Sequence, residues 1–355
     1  MLDIKSLLKK VIDGKASDLH IIAGVLPSLR VDGKLIPIEG TTALTSEQTK
    51  SLIMPLLTPA QKDQFLVNRE LDFSFDLGDY GRFRVNVYFE KGSMAAALRK
   101  IAAKISTIDQ LKLPKICYQL AELRQGLVLV TGPTGHGKST TLAAIINQIN
   151  ETRSEHIVTI EDPIEFVYHP KKSMISQREM HGDTHSWPIA LRSVLREDPD
   201  VVLVGEMRDY ETIAAALTVA ETGHLVFATL HTNSAAQTVD RIVDVFPEHQ
   251  QAQVRMQLSN TISAILTQRL IPAISGGRVA ALEILLGSSA VKNSIREGKS
   301  HLLNNVLQTS GELGMQSLEV DLSRLVNQGQ VELSVALDYS LNPQELSRLA
   351  KGTQH

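Results

Sequence analysis

Leu127-Val128-Leu129-Val130-Thr131-Gly132-Pro133-Thr134-Gly135-His136-Gly137-Lys138-Ser139-Thr140 is the stretch on which the reading of this chain turns. An apolar, β-branched run enters the pattern G-x-x-x-x-G-K-[ST], and Leu142, Ile145, Ile146 and Ile149 continue it at helical spacing. Strand, glycine-rich loop and helix in that register hold phosphate. The glycines let backbone N–H groups close round the anion, and the helix N-terminus adds its positive dipole end. Lys138 reaches the β and γ oxygens, and Ser139 supplies a ligand to Mg²⁺. The nucleotide-binding set is therefore Gly132, Pro133, Thr134, Gly135, His136, Gly137, Lys138, Ser139 and Thr140, with a nucleoside triphosphate and Mg²⁺ as the cofactors.

Further along, Ile157 to Ile160, Val201 to Val204 and Leu225 to Leu230 are short β-type runs, each followed by a helical stretch. Such alternation predicts an α/β domain with a doubly wound parallel sheet and helices on both faces. Ligands bind at the carboxyl ends of such strands. Two strands deliver acids there: Val201 to Gly205 leads to Glu206, and Ile157 to Ile160 leads to Glu161 and Asp162. Phosphoryl transfer to water needs a water-activating base and a carboxylate near the metal. Glu206 fits the first role, and Glu161 with Asp162 the second, the alternative being that these acids only cap the helices that follow. His224 and His231 flank the strand Leu225 to Leu230, so an extended chain separates them by more than about 20 Å and they share no zinc ion. His231 is at the carboxyl end, where it can sense the γ-phosphate, whereas His224 fits an interface role. From Ser288 onward the pattern is helical, with breaks at Gly298, Gly311 to Gly314 and Gly329.

Before the loop, Ile4, Leu7, Leu8, Val11 and Ile12 predict an amphipathic helix, and Asp32-Gly33 a hairpin turn between Leu29 to Val31 and Leu35 to Ile38. Thr45 with Gln48, and Thr58-Pro59 with Gln61, are helix starts. Leu71 to Leu77 and Phe83 to Phe89 alternate apolar with polar residues around the turn Gly78-Asp79-Tyr80-Gly81, and Met94 to Leu98 adds a third strand. Residues 1–100 thus form a mixed α/β domain, 101–113 a linker, and 114–355 the phosphate-loop domain with a helical C-terminal part. Arg82 and Arg84 share the strand face opposite Phe83 and Val85, and Arg99 ends the next strand. Taken alone, this domain favours a solvated edge for them; guanidinium groups set against a nucleotide are the alternative.

A chain of 355 residues, 43% apolar and 21% charged, suits about two globular domains. Its net charge of −3 and 4% aromatic content argue against a RecA-like nucleic-acid translocase, which needs basic grooves and stacking platforms. The single cysteine, Cys117, rules out an intramolecular disulfide or a multi-cysteine zinc site and points to a reducing, cytosolic compartment. Lys5, Lys9 and Lys10 break the first apolar stretch, and no apolar run approaches the roughly 20 residues of a membrane span. No transmembrane segment is expected, so membrane contact would run through a partner.

The phosphate loop is followed in order by Thr159 to Phe166 (TIEDPIEF), Asp200 to Asp209 (DVVLVGEMRD) and Gly223 to Ser234 (GHLVFATLHTNS). With these four segments the chain resembles the secretion ATPases, and closely resembles the PilT family of type IV pilus retraction ATPases. The segments resemble the Walker A, Asp box, Walker B and His box of that family, and Ala16 to His20 (ASDLH), Arg82 to Asn86 (RFRVN) and Gly314 to Gln316 also match. The resemblance spans nearly the whole chain. It implies a PAS-like α+β N-terminal domain followed by a RecA-like doubly wound α/β ATPase domain with C-terminal helices. It further implies a homohexameric ATP-hydrolysing motor for pilus retraction and twitching motility. The motor would be cytoplasmic, associated with the inner membrane through a platform protein, and without direct nucleic-acid contact.

The resemblance also turns the reading of Arg82, Arg84 and Arg99 towards nucleotide contact. Pilus-assembly and type II secretion ATPases share the four boxes but typically add an N-terminal domain and a paired-CxxC insertion; this sequence carries neither. His136 stands where the family usually has Ser. Ala290 to Glu297 (AVKNSIRE) resembles the retraction-linked AIRNLIRE segment, with Val291-Lys292 for Ile-Arg and Ser294 for Leu. That departure keeps an accessory retraction paralogue, or another secretion ATPase, as the alternative. The direction of pilus movement follows from the resemblance alone.

Overall fold

The computed structural model describes residues 2–31, 33–78, 81–101 and 104–351. Its contacts divide the chain into two units, Met1–Lys104 with Pro163–Val167, and Ile105–Asp162 with Tyr168–His355. Asp32 of the first hairpin turn, Asp79 and Tyr80 of the second, and Ala102 and Ala103 of the linker lie outside the described residues.

The first unit opens with helix α1 (Ile4–Asp13), capped by Asp3, which accepts from Ser6 N at 3.0 Å. Leu7, Leu8 and Val11 are buried beneath it, as the helical spacing requires. Strands β1 (Asp18–Ile21), β2 (Ser28–Val31) and β3 (Lys34–Pro37) follow, then helices α2 (Ser46–Ile53) and α3 (Pro59–Asn68). Both helices begin with a complete capping box, Thr45 with Gln48 and Thr58 with Gln61. Strands β4 (Glu70–Asp76), β5 (Arg82–Glu90) and β6 (Ser93–Lys100) complete an antiparallel sheet in the order β3-β2-β1-β6-β5-β4. β1 was not legible as a strand: it is four residues long, and its place in the centre of the sheet depends on β6, which is distant in sequence.

Alternation along β5 sends Phe83, Val85 and Val87 into the core and Arg82 and Arg84 to the other face. On that face each arginine meets a neighbouring strand. Arg84 Nη2 lies 2.6 Å from Asp72 Oδ2, and Arg82 Nε donates to Ser74 Oγ at 3.0 Å. Arg99, opposite Asp18 in the β1–β6 register, donates to its Oδ1 at 2.8 Å.

The second unit begins at α4 (Ile116–Glu122), which buries Cys117; burial pushes its thiol up to about 12. Then come β7 (Gly126–Thr131), α5 (Lys138–Thr152), β8 (His156–Glu161), β9 (Met174–Glu179), α6 (Trp187–Val194), β10 (Val201–Val204) and α7 (Tyr210–Glu221). β11 (Leu225–Leu230), α8 (Ala235–Asp244), α9 (Glu248–Thr261), β12 (Ile262–Pro272) and β13 (Arg278–Leu286) finish the sheet region. α10 (Ser289–Arg296), α11 (Leu303–Thr309), α12 (Leu318–Asn327), α13 (Leu333–Tyr339) and α14 (Pro343–Lys351) form the helical end.

The sheet order is β13-β12-β7-β11-β10-β8-β9, parallel throughout except for the β12–β13 hairpin. Leu127, Leu129, Val158, Ile160, Val202 and Val204 pack on one face against α6 to α10, while the alternate residues Val128, Val130, Ile157 and Leu203 are equally buried on the face of α5. Both faces are covered, so the central strands read as continuous apolar runs. Sequence reading missed β9, β12 and β13. α9 passes into β12 with no intervening residue, and Thr267, Gln268 and Arg269 interrupt its apolar run. β9 is an edge strand in which only Glu179 is buried.

Phe83→Ala, which empties a fully buried site, is expected to lower unfolding free energy by about 3–5 kcal/mol. Arg84→Ala breaks the exposed pair with Asp72 and should cost no more than about 1 kcal/mol. Thermal denaturation of the two variants, side by side, checks the difference.

Candidate active site

β7 ends at Thr131, whose Oγ1 donates to Thr267 Oγ1 on β12 at 3.0 Å. That pair is also the last rung between the two strands, and β12 runs on for five residues beyond it. The phosphate loop folds against this overhang. At Gly132, with φ of +136°, an added Cβ would stand 2.3 Å from the Gln268 carbonyl oxygen; no side chain fits there. Gln268, buried in β12, donates from Nε2 to His136 O at 2.8 Å and accepts from Thr141 Oγ1 at 2.6 Å. It thereby ties the middle of the loop and the first turn of α5 to the sheet. Nothing in the local sequence marks Gln268, because its partners are more than 120 residues away and its strand was not legible.

Lys138 opens α5 and is buried. Its ammonium donates to Gly132 O at 2.9 Å, Pro133 O at 3.1 Å and His231 Nδ1 at 3.3 Å. An ammonium only donates, so Nδ1 is an acceptor, and His231 carries its proton on Nε2. That Nε2 lies 3.0 Å from Glu206 Oε1. Burial, and then the charge of Lys138, hold the His231 imidazole below its ordinary pKa, which favours the same neutral tautomer. Thr134 Oγ1 shares Nδ1 at 3.2 Å. Glu206 Oε2 in turn pairs with Arg208 Nη2 at 2.8 Å. The strand end that carries Glu206 is fixed by Gly205 N donating to Ile160 O at 2.8 Å and Thr229 Oγ1 donating to Gly205 O at 2.5 Å.

The remaining sequence-predicted residues fall into two groups. Glu161 ends β8 and is buried, accepting on Oε1 from Thr159 Oγ1 at 2.7 Å and from Gln177 Nε2 at 3.3 Å. Asp162 next to it is exposed, and Ser139 is half-buried in the first turn of α5. Among the described residues no three His, Cys, Asp or Glu side chains converge on a metal position. A protein cage for a metal is therefore not built, but Mg²⁺ takes few protein ligands and completes its shell with phosphate and water, a requirement a hydroxyl and one or two carboxylates meet. His224 sits at the far end of β11, its Nδ1 3.1 Å from Val219 O and 3.0 Å from Thr222 Oγ1, at the C-terminus of α7. Arg82, Arg84 and Arg99 belong to the first unit, with the partners given above.

A cavity of about 560 Å³ opens beside the loop, lined by Gly137 and Thr140 on one side and by Gln110, Leu113, Leu270 and Gln330 among the others. Its size and its mixture of apolar and amide groups suit the nucleoside end of a ligand whose phosphates occupy the loop.

Residues 79–330 match the family described as type II/IV secretion system protein. The type IV pilus retraction ATPase PilT of Pseudomonas aeruginosa is 47% identical over 97% of this chain and 99% of its own length. The type IV pilus ATPase PilU of the same organism is 38% identical over 99% of this chain and 92% of its own. Among solved structures, that of the pilus retraction motor PilT with bound ADP superposes with a TM-score of 0.92 at 46% identity, covering 98% of this chain and all of the other.

Gly132→Ala should weaken ADP binding at least about fivefold, since forcing the loop away from the Gln268 carbonyl costs on the order of 1–3 kcal/mol. Titration calorimetry with ADP measures it, and an unchanged affinity would contradict the fit of loop to β12.

Proposed function

The chain belongs to the type II/IV secretion system protein family, and from that premise we propose that it hydrolyses ATP to ADP and phosphate to drive type IV pilus retraction. The observation that carries this reading is the hydrogen-bonded line from Lys138 through His231 to Glu206, which joins the phosphate loop to an acid at the neighbouring strand end. The likeness to PilT over the whole chain gives the activity its direction, and the ADP in the solved relative supports the choice of nucleotide.

In this reading the loop N–H groups and Lys138 bind the phosphates, an anion replacing the neutral carbonyls of Gly132 and Pro133 as the partner of the ammonium. Glu206 orients a water and takes its proton. His231 holds one Glu206 oxygen through Nε2–H while its Nδ1 faces Lys138, so whatever changes the partners of Lys138 reaches Glu206 through a single ring. Bound Mg²⁺ would neutralise phosphate charge, with Ser139 as ligand and Glu161 and Asp162 as the carboxylates beside it. The cavity at Gln110 and Gln330 takes the nucleoside.

The proposal extends to assembly. Residues 1–100 form the PAS-like domain, 101–113 the linker and 114–355 the ATPase domain, a division that the two compact units support. The working form is a homohexamer in which Arg82, Arg84 and Arg99 supply guanidinium groups to a nucleotide. It acts in the cytoplasm against an inner-membrane platform protein; no helix among the described residues is long and apolar enough to cross a membrane. An accessory retraction paralogue is the second reading, favoured by Ser294 in the AVKNSIRE segment, against the higher identity to PilT than to PilU.

Glu206→Gln should keep nucleotide affinity and lose steady-state phosphate release by at least about 100-fold; turnover within a few-fold of wild type removes Glu206 from the role. Lys138→Ala should instead weaken ATP binding itself. Arg82→Ala and Arg84→Ala should melt like wild type, because neither side chain is in the core, yet hydrolyse ATP about tenfold more slowly or worse. Wild-type rates in both would return these arginines to a solvated edge.

A further inference from the structure

The overhang of β12 presents its residues to the phosphate loop one by one. Past the last rung at Thr267, the backbone N–H of Leu270 has no partner on β7, which has ended. It donates instead to His136 Nδ1, at 3.0 Å. His136 occupies the loop position just before Gly137-Lys138, so this bond holds the middle of the loop on β12 beside the His136 carbonyl that Gln268 fixes. A ring nitrogen that accepts from an N–H must carry no proton.

We propose that His136 is a positioning residue that holds the phosphate loop on β12 only while its imidazole is neutral, so that protonation frees the loop and weakens nucleotide binding. The inference rests on the phosphate-loop reading and adds a pH dependence to it. Among the described residues the charged groups that act on the ring are cations: Arg269 on β12, Lys138 at the start of α5, and Arg278 on β13, which also reaches Gly135 O at 3.4 Å. The titratable ring of Tyr339 on α13 packs at 6.4 Å between centroids. Burial first, and these cations after it, hold His136 below its ordinary pKa. The sign follows. The pinned loop binds fewer protons at His136 than the released loop, so the pinned state is fully favoured above the ordinary imidazole value of about 6.5 and is lost as pH falls through and below it. Protonation places an N–H against the Leu270 N–H, which exchanges a bond for an unpaired donor, worth roughly five-fold or more in the equilibrium.

Two measurements on the full-length protein test this. In the first, ADP affinity is measured by calorimetry at pH 8.0 and 6.0 for wild type and for His136→Asn, whose Oδ1 can accept from Leu270 N at either pH. The ratio of Kd at pH 6.0 to Kd at pH 8.0 should be about two- to four-fold larger in wild type than in the variant, four-fold being the most that a group of pKa about 6.5 can contribute over this range. Equal ratios, with both proteins binding ADP, overturn the proposal and leave the phosphate-loop reading standing. Failure of wild type to bind ADP at pH 8.0 overturns that reading, and the proposal with it. In the second, hydrogen–deuterium exchange of the Leu270 amide in unliganded wild type, corrected for intrinsic rate, should lose about five-fold of its protection between pH 8.0 and 5.5. Constant protection across that range overturns the proposal even if the variant does not fold.

Discussion

The ammonium of Lys138 is buried, and a buried charge left without partners costs several kcal/mol, so the chain around it is arranged to meet it. Two of its partners are backbone carbonyls, of Gly132 and Pro133. For these to turn inward the loop must adopt positive φ at Gly132, Gly135 and Gly137, where side chains are excluded by conformation and, at Gly132, by the carbonyl of Gln268 as well. The close approach at Gly132 exists only because β12 lies beside β7 and outlasts it. Sheet order, strand length and loop composition are in this sense consequences of one cation. Neutral carbonyls satisfy it adequately, but an anion satisfies it better, since it adds the attraction of a full opposite charge to the hydrogen bond. The loop is folded around a charge it is prepared to hand over.

The electrostatics extend the same arrangement. Overall the chain is mildly acidic, but Lys138, Arg269 and Arg278 gather about the loop, and Arg208 stands beside Glu206. Such a concentration of positive charge against a sheet edge suits a polyphosphate. It also decides the state of the two imidazoles in the region. Both His136 and His231 are held below their ordinary pKa by burial and then by these cations, and both use Nδ1 as an acceptor. One links the loop to a strand and the other links the loop to an acid. His224, which shares a strand with His231 in sequence terms, has none of these neighbours and pairs locally at the end of α7.

How much of this is legible in the sequence depends on the range of the interaction that specifies it. Patterns that act within a few residues are readable: the capping boxes at Thr45 and Thr58, the alternation along β4 and β5, and the apolar runs of β7, β10 and β11. So are residues placed by chain direction alone, such as Glu206 and Glu161 at strand ends, because parallel strands share a carboxyl edge. β12 is not readable. It follows α9 without a break and carries Thr267, Gln268 and Arg269 in its middle, and those polar residues are acceptable in a buried strand only because Thr131, Thr141 and Tyr339 receive them from elsewhere in the chain. Pairings across strands are hidden for the same reason. Alternation puts Arg82, Arg84 and Arg99 on the polar side of their strands, but it does not say that Ser74, Asp72 and Asp18 will be standing opposite.

The burial of Cys117 in α4 has a practical side. A thiol held at about 12 by its surroundings is almost never a thiolate at neutral pH, and the thiolate is the reactive form. Because it is also the only cysteine in the chain, the wild-type protein is in effect chemically silent toward maleimides and other thiol-directed dyes. A single cysteine introduced at an exposed position therefore becomes a unique attachment point without any prior removal of native thiols. Fluorophores, spin labels or cross-linkers can be set one at a time on either compact unit, and the motion of each can be followed on an otherwise unmodified chain.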